Sequence, residues 1–277
     1  MNNIDIKSLY GLKYNPFLPN IPEEALYTLP GSEMFEVRIR SMAGQGGFAL
    51  ITGEPGLGKS KTLHKMACCL EKIPDLAVGV MQRPQSRLGD FYRELGELFN
   101  VALSPANRYG GFKALREHWI HHCRSTLFKP VLLIDEAQHV SDECLTELRI
   151  LQSHQFDSQN LLFTILCGDN RLPERFRSPE LLPLGSRIGP RLVLEPLTPD
   201  QLQDYLHFAL DQAGNSRLMS EGLIRTLAGH AANNLRILNQ MAAELLNTAA
   251  VKELPKIDEA LFFQLFSPSR SRPKRDE

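Results

Sequence analysis

One eight-residue loop restricts the possible folds of this chain more than any other feature of its sequence. The stretch GEPGLGKS, residues 53–60, follows the apolar run GGFALIT and precedes a segment with helical spacing, KSKTLHKMACCLEKI. Glycines let successive backbone N–H groups turn inward, and the positive end of a following helix adds to the attraction for anions. The spacing Gly, four residues, Gly-Lys-Ser therefore predicts a phosphate-binding loop between a strand and a helix.

The loop residues have different expected roles. Lys59 is expected to reach the terminal phosphates of a nucleotide, and the Ser60 hydroxyl is expected to bind Mg²⁺. A turn that only links a strand to a helix would gain nothing from this Lys-Ser pair. The candidate nucleotide-binding residues of the loop are Gly53, Glu54, Pro55, Gly56, Leu57, Gly58, Lys59, Ser60 and Lys61.

Two carboxylates follow a second apolar run. The residues VLLI, 131–134, predict a buried strand that ends at Asp135 and Glu136. Ligands of parallel sheets lie at this end of the strands, so Asp135 is a candidate Mg²⁺ ligand and Glu136 a candidate base for the attacking water. The alternative is that both acids only favour the start of the next helix. The chain lacks the guanine-reading Asn-Lys-x-Asp, which favours ATP over GTP.

The order of elements predicts an α/β fold with a parallel sheet covered by helices on both faces, because apolar strands and helices alternate as far as residue 197. From Thr198, a candidate N-cap, the pattern is helical only. We expect an N-terminal arm and short helix at 1–45, with the proline-rich arm laid over the next domain, a nucleotide-binding domain at 46–197 and a helical lid at 198–266. A disordered basic tail is expected at 267–277.

The composition excludes several classes of protein. The chain has 277 residues, 43% of them hydrophobic and 23% charged, and a net charge of −1, so any surface for a polyanion must be local. Five cysteines without a C-x-x-C pair predict core thiols in a reducing compartment. The N-terminus does not resemble a signal peptide and no apolar run approaches the ~20 residues of a membrane span, which predicts a cytoplasmic protein.

The order of the motifs resembles that of AAA+ ATPases. The motifs are the phosphate loop, VLLIDEAQHV, LLFTILCGDNRL, LGSRIGPRLVLEPLT and NNLRIL in the helical segment. The stretches YGLKYNPF and RIGPRLVLEPL are similar to the narrower ExeA-like group, which itself resembles the transposition-associated ATPases of the TnsC, TniB and IstB type. The resemblance implies a P-loop NTPase sheet with a small C-terminal helical lid, and Mg²⁺-dependent ATP hydrolysis.

The resemblance also implies roles for residues outside the two motifs. A polar residue after the strand TILCG should sense the γ-phosphate, and Asn170 is preferred over Asp169 because family members carry a neutral residue there. Arg187 matches an arginine finger that completes a neighbouring subunit's site, with Arg191 as an alternative. Arg236 resembles the lid arginine that reports phosphate loss. Together these roles imply a homo-oligomer.

The partner of the ATPase is less constrained. The resemblance favours a regulator of transposition that assembles on duplex DNA and acts with a transposase. Local basic clusters could contact DNA phosphates, although each could also be a solvated face: Arg83, Arg87, Arg108, Lys113, Arg270, Arg272, Lys274 and Arg275. The alternative is a secretion or pilus-assembly ATPase of the ExeA type, placed second because longer relatives carry a membrane segment that is not found here. A third possibility is a nucleotide switch with little turnover.

Two smaller features complete the expectations from the sequence. The aromatic segment from Tyr14 to Phe17 is a candidate contact for adenine. The stretch HWIHHC places His118, His121, His122 and Cys123 close together, but it lacks the glutamate of H-E-x-x-H and has no second ligand cluster, so no metal is expected there.

Overall fold

This computed structural model describes residues 5–103, 108–125 and 129–266. The strands of these residues are β1 (Gly47–Gly53), β2 (Leu76–Met81), β3 (Lys129–Ile134), β4 (Ser153–His154), β5 (Gln159–Asn160), β6 (Phe163–Gly168) and β7 (Ile188–Leu194). The α-helices are α1 (Ile6–Tyr10), α2 (Ser32–Ala43), α3 (Lys59–Glu71), α4 (Leu88–Leu98), α5 (Arg108–Ser125), α6 (Asp142–Gln152), α7 (Arg171–Arg175), α8 (Leu182–Gly185), α9 (Pro199–Ala213), α10 (Glu221–His230), α11 (Leu235–Val251) and α12 (Glu259–Phe266).

Five of the described strands form one parallel sheet in the order β2-β3-β6-β1-β7. Strands β1 and β6 are buried along their whole length, and β3 is buried from its second residue onward. Such central strands need apolar side chains on both faces, which explains the uninterrupted runs FALI, VLLI and FTIL. The edge strand β7 alternates between buried and exposed residues. The parallel sheet flanked by helices is therefore confirmed.

The sheet belongs to a compact unit formed by residues 28–195. Its hydrophobic core contains large side chains from the strands and helices, among them Phe48, Phe91, Trp119, Leu132 and Leu148. Burial of side chains of this size contributes about 1.5–3 kcal/mol each, so this core holds the strand ends in fixed relative positions.

A second compact unit joins residues 5–27 to residues 196–266. The Tyr10 hydroxyl donates to the Leu254 carbonyl at 3.0 Å, and Tyr27 packs edge-on against Tyr205 at 5.4 Å. The expected domain limits stay a prediction. The structure nevertheless groups residues 5–27 with the C-terminal helices, whereas the sequence suggested an arm over the nucleotide-binding domain.

Several elements were not expected from the sequence. The short antiparallel pair β4–β5 forms a hairpin over residues 153–160, between α6 and β6. The short helices α7 and α8 lie between β6 and β7. The expected tail at 267–277 lies outside the described residues, together with Arg270, Arg272, Lys274 and Arg275. Among the described helices, none combines the length and apolar composition needed to cross a lipid bilayer.

Candidate nucleotide-binding site

The phosphate loop connects the carboxyl end of β1 to the first residue of α3. Gly56 and Gly58 have φ angles of 88° and 98°, which side chains other than glycine rarely adopt. Gly58 is the N-cap of α3 and makes no side-chain capping bond, so the first N–H groups of the helix have no side-chain acceptor at the cap. The loop thus has the backbone shape and the helix terminus that an anion needs.

Lys59 is held within the loop. Its side chain is only 7% exposed, and its ammonium donates to the Glu54 carbonyl at 3.0 Å. Ser60 is exposed at the start of α3. Partial burial lowers the pKa of Lys61. A buried ammonium beside exposed backbone and hydroxyl groups fits a polyphosphate with a bound divalent cation.

The two acids lie at the carboxyl end of β3, as the sequence predicted. The Asp135 carboxylate accepts the Glu136 backbone N–H at 2.9 Å. Glu136 is exposed and has a φ of 49°, an uncommon backbone conformation for a residue other than glycine. The buried Cys167 thiol on β6 has a pKa raised by burial and, next, by its contact with Asp135.

The strand order brings three chain segments to one edge of the sheet. Strand β6 lies between β1 and β3, with Gly168 opposite Thr52 and Leu166 opposite Ile134. Adjacent strands are about 4.8 Å apart, so the ends of β1 and β3 lie about 10 Å from one another. The phosphate loop, the acidic pair and the residues after β6 therefore face one space.

Gln138 is a site residue that the sequence alone did not identify. Its side-chain NH₂ donates to the Glu136 carboxylate, and its side-chain oxygen accepts the Asp169 backbone N–H at 3.2 Å. Arg175 supports this turn by donating to the Gln138 and Val140 carbonyls at 2.7 and 2.8 Å. The only sequence signal for this link is the glutamine of DEAQ.

The two candidates for the sensor position have different surroundings. Asp169 accepts hydrogen bonds from the Arg171 Nε at 2.9 Å and backbone N–H at 3.0 Å, and the Arg171 guanidinium lowers the pKa of this carboxyl. The negative charge of Asp169 is thereby balanced at the site edge. Asn170 is exposed and caps α7 without a side-chain hydrogen bond. Asn170 thus keeps the neutral polar group expected of a sensor.

Arg187 lies near the amino ends of the strands, opposite the carboxyl ends where the phosphate loop and the acidic pair lie. It immediately precedes β7, where Ile188 pairs with Phe48 near the start of β1. The phosphate loop begins at Gly53, five residues further along β1, which corresponds to about 17 Å. Arg187 donates to the Pro183 carbonyl and pairs with the Asp157 carboxylate at 2.5 Å. Arg191 is exposed and donates to the Gly185 carbonyl at 3.3 Å.

Arg236 belongs to the helical unit. It is the second residue of α11, its side chain is exposed, and its backbone N–H donates to the Asn234 side chain at 2.9 Å. In the same unit, Tyr14 is half-buried and Phe17 is buried.

The remaining candidates that the structure describes lie on α5 and just before α4. Arg83 and Arg87 are exposed, and Lys113 is 3.7 Å from Glu117. The Arg108 side chain is not among the described features. The rings of His118 and His122 have centroids 4.2 Å apart. The pKa of His118 is lowered mainly by burial and also by the nearby His122 and His121. Among the described residues, no group of three or more His, Cys, Asp or Glu side chains could hold a metal ion.

The cysteines are less uniformly buried than expected. Cys144 and Cys167 are buried, whereas Cys68, Cys69 and Cys123 are half-buried, and none is in a disulfide.

Residues 41–176 match the family model of an AAA domain. The chain is also 29% identical over 217 residues to the general secretion pathway protein A of Aeromonas hydrophila. That match covers 76% of this chain but only 39% of the relative, so the chain spans about two fifths of the relative's length.

Two solved structures have a similar fold at low sequence identity. Cdc6p from Pyrobaculum aerophilum has a TM-score of 0.70 and 17% identity over 87% of this chain and 67% of that one. The Aeropyrum pernix ORC1 protein, solved in complex with DNA, has a TM-score of 0.67 and 16% identity over 90% of this chain and 67% of that one. The chain therefore has the fold of the AAA+ P-loop NTPases, and residues 41–176 are similar to an AAA domain.

Proposed function

We propose that this protein binds and hydrolyses ATP in a Mg²⁺-dependent manner. The observation that carries the proposal is the meeting, at one sheet edge, of a phosphate loop with a buried lysine and of an acidic pair tied to the end of β6 through Gln138. A phosphate cradle and a candidate base at one sheet edge would fit the length of a triphosphate and its attacking water, which supports the proposal.

The chain's own groups account for the chemical step. Lys59 and the α3 N-terminus bind the phosphates, while Glu136 orients the water and accepts its proton. The Ser60 hydroxyl and the Asp135 carboxylate are hard oxygen donors that fit Mg²⁺, and this ion neutralises charge on the phosphates when bound. Asn170 is the proposed γ-phosphate sensor, and Arg236 the proposed residue that reports phosphate loss to the lid.

A second copy completes the site. Arg187 lies about 17 Å from its own phosphate loop, farther than an arginine side chain can extend. An arginine in this place can reach phosphates only on another molecule, where its fixed positive charge would stabilise the transferring phosphoryl group. The functional form is therefore a homo-oligomer.

Steady-state hydrolysis of ATP tests the proposal. The wild-type protein should release phosphate in the presence of Mg²⁺ and stop on chelation. Lys59→Ala should lose both nucleotide binding and hydrolysis, whereas Glu136→Gln should keep binding and lose at least about 100-fold in rate. Hydrolysis unchanged in Glu136→Gln would refute the assignment of the base, and no turnover in the wild type would favour the nucleotide switch.

Two biological roles are candidates for this ATPase activity. A DNA-assembled regulator of transposition, acting with a transposase, is supported by the sequence resemblance and by the exposed Arg83 and Arg87. A role in secretion is favoured by the sequence match to the general secretion pathway protein A, although only 39% of that protein is covered.

Duplex DNA distinguishes these two roles. Phosphate contacts release counterions, so DNA that stimulates hydrolysis strongly at low salt and weakly at high salt would support the transposition role. Turnover that is indifferent to DNA at every salt concentration would contradict that role and leave the secretion role.

A further inference from the structure

The β4–β5 hairpin exposes a large apolar side chain at its tip. Phe156 is 105% exposed, and it stands between Gln155 and Asp157 in the turn that joins the two strands. A single exposed apolar residue is ordinary on a protein surface. A fully exposed phenylalanine on a hairpin tip of fixed conformation, however, can bind another protein surface as an anchor residue.

The backbone of this tip is strained. Gln155, Phe156 and Asp157 have φ angles of 49°, 55° and 65°, and none of the three is glycine. Three consecutive non-glycine residues in the left-handed region are costly, and such a conformation persists only where its surroundings fix it. The strained backbone therefore indicates that the conformation of the tip has a function.

The base of the hairpin is fixed by Arg116 on α5. Its guanidinium donates to the Ile150 carbonyl at 2.9 Å and to the Ser153 carbonyl, and it lies 3.2 Å from the His154 ring. The Leu161 N–H closes the hairpin by donating to the Gln152 carbonyl at 2.8 Å. The hairpin is thus attached to two helices of the unit and does not hang as a free loop.

The tip is fixed by the candidate arginine finger. The Arg187 guanidinium pairs with the Asp157 carboxylate, and the pKa of Asp157 is lowered first by the Ser153 side chain and then by Arg187. The hairpin ends at Asn160, three residues before the start of β6, where Phe163 pairs with Gly47. Phe156 and Arg187 therefore share the sheet edge that lies away from their own phosphate loop.

We infer that the hairpin tip, residues 155–157, is a contact between copies of this chain, with Phe156 seated on the copy whose ATP site Arg187 completes. The inference rests on the proposed function. Because Asp157 ties Arg187 to the tip, a molecule that receives Arg187 must also approach Phe156. Aromatic and arginine side chains at one contact are typical of the residues that dominate interface affinity.

Assembly of the full chain tests the contact directly. The molar mass is measured by light scattering across a concentration series with Mg²⁺ and a non-hydrolysable ATP analogue. Phe156→Ser should raise the concentration for half-assembly at least about tenfold. The control Tyr109→Ser removes another exposed aromatic, 76% exposed on α5, and should leave that concentration unchanged. Equal assembly of both variants, or no assembly of the wild type, would overturn the inference.

A mixing experiment locates the contact relative to Arg187. Lys59→Ala copies supply Arg187 but have no working phosphate loop, and Arg187→Ala copies keep the loop but lack the finger. Mixing the two should restore hydrolysis. Adding Phe156→Ser to the Lys59→Ala copy should reduce the restored rate at least about tenfold, whereas Tyr109→Ser there should not.

The outcomes separate the inference from the proposed function. Restored hydrolysis that ignores Phe156 would overturn the inference and leave Arg187 acting on a second copy. No restoration in the unaltered mixture would refute the role of Arg187, and the assembly measurement would then decide on the hairpin contact alone. Loss of DNA binding in Phe156→Ser with normal assembly would assign the tip to nucleic acid and overturn the inference.

Discussion

At the scale of single residues, one glutamine links the acidic pair to the end of β6. Gln138 joins the Glu136 carboxylate to the Asp169 backbone at the end of β6. A Cβ on Gly168 would lie 2.6 Å from the side-chain oxygen of Gln138, so the glutamine can approach this strand end because the residue there is glycine. We therefore expect Gln138 to position the candidate base.

Gln138→Ala should lower kcat about 10- to 100-fold and leave the KM for ATP within about twofold, because it misplaces Glu136 without removing a phosphate contact. Gln240→Ala, which changes an exposed glutamine on α11, is the control. Steady-state kinetics of both variants check the expectation. A raised KM at unchanged kcat would show that Gln138 binds the nucleotide and does not position the base.

The pair of Asp169 with Arg171 should make a small, pH-dependent contribution to stability. Hydrogen bonds from Arg171 lower the pKa of Asp169, so the contribution is present above the unfolded pKa of about 4 and is lost as pH falls through the lower folded pKa. Arg171 is 68% exposed, so screening by solvent keeps the effect small. Urea unfolding of Asp169→Asn and wild type over a pH series should show a gap that closes at acid pH, and a gap independent of pH would exclude this origin.

At the scale of elements, the start of α9 is fixed by a reciprocal cap. The Thr198 hydroxyl accepts the Gln201 backbone N–H at 3.3 Å, and the Gln201 side chain accepts the Thr198 N–H at 2.9 Å. Thr198→Ala should reduce the free energy of unfolding by about 1 kcal/mol, since it leaves the helix N–H without its acceptor. Thr198→Ser should restore most of it in urea unfolding. Equal stability of all three proteins would contradict the role of the cap.

The elements that the sequence predicted are those with a local signal. FALI, VLLI and FTIL are apolar along their length because their strands are buried on both faces, and the phosphate loop and the acidic pair follow directly from two of them. The position of the two acids is therefore readable from the residues that precede them.

The elements that were missed depend on contacts distant in the chain. The hairpin segment SHQFDSQN has no apolar alternation and no glycine, and its geometry is fixed by Arg116 and Arg187. The link from Gln138 to Asp169 exists only because β6 lies beside β3. The hydrogen bond from the Tyr10 hydroxyl to the Leu254 carbonyl joins residues 244 positions apart, which local patterns cannot reveal.

At the scale of the whole molecule, the proposed ATPase has a site that a single copy leaves incomplete. The phosphate loop and Glu136 lie at one edge of the sheet, and Arg187 with the hairpin lies at the other. Copies arranged head to tail would bring these two edges together, and repetition of such a contact gives a ring or a filament. Assembly and hydrolysis are therefore expected to be coupled.

The most direct test of this coupling is the rate of Mg²⁺-dependent ATP hydrolysis per subunit, measured for the wild type over a wide range of protein concentration with Lys59→Ala as the blank. If a second copy completes the site, the rate per subunit should rise with concentration and reach a plateau when assembly is complete. Arg187→Ala should stay low throughout the range. A rate per subunit that is constant down to concentrations at which light scattering shows only monomer would contradict completion of the site by a second copy.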